Sequence, residues 1–190
     1  MIVQTATRLF LNRGYNATSI VQIAAEAGVA VQTIYNSVGS KRDLLSRVLD
    51  HAAAGERAPV PVPEFMREHA ERESDPRRIV EQLVEFWGGA LPRTAPVFRV
   101  IREAAAVDPD AAALERARAA ERLRNYETAG ALLRRRGALR DGLSVEQAAA
   151  TMFAVGHPEI YRALVLEGNW DERRWATWAR TTLTAALLRD

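Results

Sequence analysis

Three uncharged hydrogen-bonding side chains, Gln32, Thr33 and Asn36, lie together on a short stretch in which Val31, Ile34, Tyr35 and Val38 repeat at the spacing of a helix's apolar stripe. Amides and hydroxyls both donate and accept, which is the chemistry required at base edges in a DNA major groove. Gly28-Val29-Ala30 comes just before. Glycine there lets the chain reverse without steric penalty, and two short helices joined by so compact a turn form the helix-turn-helix arrangement, whose second helix enters the groove. Catalytic chemistry finds no comparable constellation. There is no cysteine, hence no thiolate nucleophile or ligand; His51, His69 and His157 are scattered; and no HExxH, P-loop or GxSxG pattern occurs. An enzyme is not expected, nor a metal or cofactor.

The elements that position these groups follow from periodicity and punctuation. Ile2, Ala6, Leu9 and Phe10 predict a first helix that stops near Gly14. Ser19 with Gln22 predicts a capping box ahead of Ile20, Ile23, Ala24 and Ala27, and Gly28 ends that second helix. The third runs from about Val31 to Gly39, and Ser40 with Asp43 opens a fourth bearing Leu44, Leu45, Val48 and Leu49. Residues 55–63, with three prolines in five positions, predict a linker. Longer helices are expected over 76–91, 95–107, 111–136, 145–167 and 172–188. Their stop signals are Pro92 and Pro96, Asp108-Pro109, Gly137, Gly142 with Ser144, and Gly168-Asn169. No stretch alternates as a strand does. The expected fold is all-α with about nine helices: a helix-turn-helix domain over 1–50, then a helical bundle over 51–190.

A chain of 190 residues, 48% apolar and 26% charged, is long and hydrophobic enough to bury a core. Its net charge of +2 is too small to announce a nucleic-acid partner, so the distribution of charge must do so. Lys41 is the sole lysine. No apolar run reaches a membrane span and no secretory leader opens the sequence, from which a soluble cytoplasmic protein is expected.

At these residues the chain resembles the TetR family of bacterial one-component regulators. The resemblance runs from about Ile2 to Leu49. It is carried by Phe10 with Arg13-Gly14-Tyr15, Thr18-Ser19, Ile23-Ala24, Ala27-Gly28-Val29, Thr33-Ile34-Tyr35, Ser40-Lys41 and Leu44-Leu45. It implies a DNA-binding head followed by a helical domain that dimerises and holds a ligand. It further implies that Thr18, Ser19, Tyr35 and Lys41 hold phosphates, with Asn36 counted among the backbone contacts, and that Val31, Gln32 and Thr33 read bases. Tyr35 could instead be a core aromatic and Lys41 a solvated charge. Ala30 stands where the family usually has a capping hydroxyl, and Val31 where a polar reader is common. The sequence opens inside the first helix without a basic lead, which implies an upstream start or modest DNA affinity.

Beyond the linker the resemblance is one of architecture. Phe86, Trp87, Phe98, Ile101 and Tyr126 are candidate walls of an effector pocket, with Met152, Phe153 and Tyr161, and with His157 as a polar anchor beside a kink at Gly156-His157-Pro158. Each could equally be core. Leu164, Trp175, Trp178, Leu183 and Leu187 are candidates for a dimer interface built from the last two helices, the alternative being burial within one protomer. The expected function is a DNA-binding transcriptional regulator, a repressor that binds a palindromic operator as a homodimer and is released by a small, mostly apolar effector. A helical ligand-binding or scaffold protein that does not grip DNA is the competing class.

Overall fold

The computed structural model describes residues 1–54 and 75–189, so the proline-rich stretch expected to be a linker lies outside the described residues. Four helices open the chain: α1 (Ile2–Arg13), α2 (Ile20–Ala27), α3 (Val31–Ser37) and α4 (Lys41–Ala54). After residue 74 come α5 (Pro76–Ala105), α6 (Pro109–Arg135), α7 (Val145–Val155), α8 (Pro158–Tyr161), a π-helical turn (Arg162–Leu166) and α9 (Glu172–Leu187). Extended pairing among the described residues is limited to an isolated antiparallel bridge between Leu139 and Leu188.

The helix ends are written locally. The Ser19 hydroxyl accepts from the Gln22 N–H at 3.1 Å while the Gln22 side chain accepts from the Ser19 N–H at 2.8 Å, closing a capping box on α2. Ser144 and Gln147 do the same for α7, and Asp171 accepts from the Arg174 N–H for α9. Gly28 ends α2 in the left-handed conformation, at φ 66°. Isolated helices of eight and seven residues are unstable in water, so α2 and α3 owe their existence to packing rather than propensity.

By packing, the described residues divide into two compact units, 1–54 with 93–118 and 75–92 with 119–189. This departs from the division at residue 50 expected from the linker. The core of the first unit holds Leu9, Phe10, Ile23, Ile34, Leu44, Leu45 and Val48 from α1–α4, but also Val97, Val100, Ile101 and Ala104 of α5 and Ala111 and Leu114 of α6. Burying a side chain such as Leu or Ile contributes about 1.5–3 kcal/mol, so the small head is completed by borrowing from the long helices. The second unit buries Ile79, Leu83, Trp87, Leu133, Met152, Tyr161, Trp175, Leu183 and Leu187.

Two expectations are corrected. Separate helices over 76–91 and 95–107 are one continuous helix, α5, which runs through Pro92 and Pro96. The two missing N–H donors are four positions apart and share one face. Both prolines are only half-buried. Conversely, the helix expected over 145–167 is broken. α7 ends at Gly156; His157 then caps α8, its Nδ1 accepting from the Glu159 N–H at 3.2 Å, with Pro158 at the first helical position.

Gly156 is required for space as well. A Cβ there would lie 2.4 Å from Cζ2 of Trp87, whereas one at Gly88 would meet nothing within 4 Å. Gly156→Ala is expected to cost about 1–3 kcal/mol, the scale of overpacking, and Gly88→Ala to be neutral or stabilising by up to about 1 kcal/mol. Denaturant midpoints of the two variants check this, and equal midpoints would contradict it.

Candidate nucleic-acid interface

The α2–α3 pair is fixed before it can present anything. Ile34 is fully buried, and Val31 and Val38 are half-buried against the same core, so they define the inner face of α3. The opposite face is left with Gln32, Thr33, Tyr35 and Asn36, all exposed, Tyr35 by half. Gln32 Nε2 donates to Asn36 Oδ1 at 2.9 Å, a pair one helical turn apart that aligns the two amides. Ala30 caps α3 without a side-chain hydrogen bond, as its lack of a hydroxyl requires. Of the residues expected at bases, Gln32 and Thr33 are therefore presented outward while Val31 is partly spent on the core. Tyr35 is not a core aromatic.

The residues expected at phosphates separate likewise. Ser19 is exposed at the start of α2. Thr18 is corrected: it is buried, 1% exposed, and its hydroxyl donates to the Gly14 carbonyl at 2.8 Å, so it holds the α1–α2 connection closed and offers nothing outward. Lys41 opens α4, with its ammonium 4.0 Å from the centre of the Tyr15 ring. Burial holds the Lys41 pKa below its ordinary value, and the Asp108 carboxylate opposes that shift. Tyr15 is pushed up to about 12, first by burial and then by the charges of Asp108 and Asp110.

α4 is gripped along its length by residues that sequence spacing gives no means of finding. Arg93 Nε of α5 donates to the Ala52 carbonyl at 2.9 Å at the helix's C-terminal end, where a cation also meets the negative end of the dipole. Arg118 Nη2 of α6 donates to Ser46 Oγ at 2.8 Å and to Asp50 Oδ1 at 2.5 Å.

In the second unit, much of the expected pocket wall is one aromatic cluster. Trp87 Nε1 donates to the Tyr126 hydroxyl at 3.1 Å; Tyr126 meets Phe153 edge-on at 6.4 Å; and Phe153 meets His157 at 5.4 Å. Tyr161 packs edge-on against Trp175, which packs against Trp87. Met152 is buried and Phe86 half-buried in the same unit. Phe98 and Ile101 are not part of this cluster. They belong to the core of the first unit, drawn there by the α1–α4 apolar faces.

The expected dimer residues are corrected too. Trp175, Leu183 and Leu187 are fully buried within their own unit, which leaves Trp178 and Leu164, both half-buried. Trp178 meets Trp170 edge-on at 6.1 Å, and the two line a shallow groove of about 510 Å³ with Arg174, whose guanidinium lies 4.4 Å from the Trp170 ring centre.

Residues 2–48 match the family of bacterial regulatory proteins named for tetR. This N-terminal segment is similar to that family's DNA-binding region. Over 44 residues the chain is 48% identical to the HTH-type transcriptional regulator HbdR of Aromatoleum sp. (strain CIB); the match spans 23% of this chain and only 19% of that relative. Among solved structures, the chain superimposes on native NalD, the secondary repressor of the MexAB-OprM multidrug efflux pump in Pseudomonas aeruginosa. That likeness has a TM-score of 0.76 at 20% identity and covers 100% of this chain and 96% of that one. Against the transcriptional regulator FadR of Bacillus subtilis in complex with stearoyl-CoA the TM-score is 0.74 at 18% identity, covering 96% and 94%. At such identities the likeness is one of fold.

A pH dependence follows from the start of α4. Asp43 Oδ2 accepts from the Ser40 hydroxyl at 2.7 Å and from its N–H at 3.0 Å, and these two bonds hold the carboxyl below its ordinary pKa. A carboxylate lowered on folding stabilises the native state above its unfolded pKa and loses that contribution as pH falls through the native value. The stability gap between the parent and Asp43→Ala is therefore expected to be largest near neutral pH and to shrink on acidification. Chemical denaturation at several pH values measures it; a gap that widens at low pH would refute the assignment.

Proposed function

We propose that the chain is a DNA-binding transcriptional regulator that occupies a palindromic operator as a homodimer, represses by occlusion, and is released by a small, mostly apolar effector. The observation that carries this proposal is the outer face of α3. Its exposed Gln32 and Thr33 make no core contact, and the phosphate-holding candidates Ser19, Tyr35 and Lys41 stand in the same unit. Gln32, through the carbonyl left free by its bond to Asn36 and an amide that can rotate, suits a base edge; Asn36, Tyr35 and Lys41 suit the backbone. Within the described residues no helix is long and apolar enough to cross a membrane, which agrees with action on DNA in the cytoplasm.

The switch is assigned to α4. α5 and α6 each run through both compact units, and each grips α4 by an arginine, Arg93 and Arg118. An effector accommodated by the aromatic cluster of Trp87, Tyr126, Phe153 and His157 displaces α5 and α6, and the two arginines pass that displacement to α4 and so to the reading head. NalD is a repressor, which supports repression here, and FadR is seen with stearoyl-CoA, which supports an apolar effector. Subunit pairing is assigned to the exposed sides of the last helices, around Trp178 and Leu164, with two-fold symmetry suited to a palindrome.

Mobility-shift titration with the DNA flanking the gene is the primary test; absence of any sequence-preferring complex would sink the proposal. Lys41→Ala is expected to weaken binding to every sequence alike and to flatten the salt dependence by roughly one phosphate per protomer. Gln32→Ala is expected to relax discrimination at one base pair by about 1–3 kcal/mol. For the assembly, light scattering is expected to give a dimer mass that Trp178→Glu reduces to that of the monomer.

A further inference from the structure

Tyr15 lies just past Gly14 in the connection from α1 to α2 and is 5% exposed. Its ring is held on several sides. Phe10 packs against it with centroids 5.5 Å apart, and the charge of the Asp108 carboxylate acts on its hydroxyl. Asp108 is itself fixed, because its Oδ1 accepts from the N–H groups of Asp110 (2.8 Å) and Ala111 (3.1 Å) at the start of α6. The Lys41 ammonium rests on this ring at 4.0 Å from its centre. An aromatic face attracts a cation, and an ammonium so seated keeps its remaining N–H directions away from the ring. A lysine is otherwise a flexible point charge that loses rotamer freedom when it binds, so a seat that orders it beforehand lowers that loss.

We infer that Tyr15 is a positioning residue of the DNA interface: its ring, buried and packed against Phe10, is the platform that holds the Lys41 ammonium ready for a phosphate. This rests on Lys41 being a phosphate contact, as proposed above. Burial draws the Lys41 pKa down while Asp108 pushes it back up, a second sign that these groups act on one another.

Because Lys41 is the sole lysine, selective ¹³C-lysine labelling gives a single ε-methylene signal from the full chain. That signal is expected upfield of a solvated lysine, shifted by the ring beneath it, to stay there in Tyr15→Phe, and to move to the solvated position in Tyr15→Leu. An unshifted signal in the parent protein overturns the inference without recourse to any variant. For operator affinity, Tyr15→Leu is expected to lose roughly threefold or more and Tyr15→Phe less than about twofold, the scale of an exposed cation–ring contact. Thermal unfolding verifies that both variants are folded. The Tyr15→Leu loss should disappear in a Lys41→Ala background; a loss of the same size there means general damage to the head and overturns the platform. If Lys41→Ala alone binds operator as tightly as the parent, it is the phosphate assignment that fails. If Lys41→Ala weakens binding and Tyr15→Leu does not, the platform alone fails.

Discussion

Burial of Ile34 governs what the head can present. α3 is seven residues long, too short to hold itself, and its N-terminus lacks a side-chain cap. Its orientation is therefore set by Ile34 in the core, with Val31 and Val38 on its flanks, and by the left-handed turn at Gly28. Rotating the helix by one residue would expose Ile34 and bury an amide with no partner, costing on the order of several kcal/mol. With that rotation forbidden, Gln32, Thr33 and Asn36 have one direction open to them. Everything proposed about base reading depends on that fixed direction.

The head also depends on helices far from it in sequence. Without Val97, Val100, Ile101 and Ala104 of α5, the α1–α4 core would be left open on one side. The same α5 reaches α4 through Arg93, and α6 reaches it through Arg118. α5 and α6 each contribute to both compact units, and the coupling proposed above draws on that.

Local chemistry was legible in the sequence. Ser19 with Gln22, Ser40 with Asp43, and the positive-φ glycines at 14, 28 and 39 each act on residues within five positions, and the first four helices appear in the expected order with their core stripes, save that Tyr35 of the third is exposed. Tertiary choices were not legible. Helical spacing marks Phe98, Ile101, Trp175, Leu183 and Leu187 as apolar faces without saying which apolar face they meet; packing sent the first two to the head and the last three to the interior of their own unit. Thr18 has the side chain of a phosphate ligand, yet burial turns its hydroxyl to Gly14. The continuity of α5 through two prolines escaped for the same reason, since flanking burial outweighed a local stop signal. The roles proposed for Tyr15 and Arg93 could not be read from the sequence, because their partners, Lys41 and the end of α4, lie 26 or more residues away.

The outer face of α3 carries an evolutionary corollary. Its exposed side chains, Gln32, Thr33 and Asn36, contribute nothing to the core, and replacements at such positions ordinarily change stability by no more than about 0.5 kcal/mol. If this face reads DNA as proposed, operator preference can drift by single substitutions at 32, 33 or 36 while the scaffold, held by Ile34 behind them, stays under a separate selection. Duplicated copies would be free to diverge toward new DNA sites without first having to repair a weakened fold.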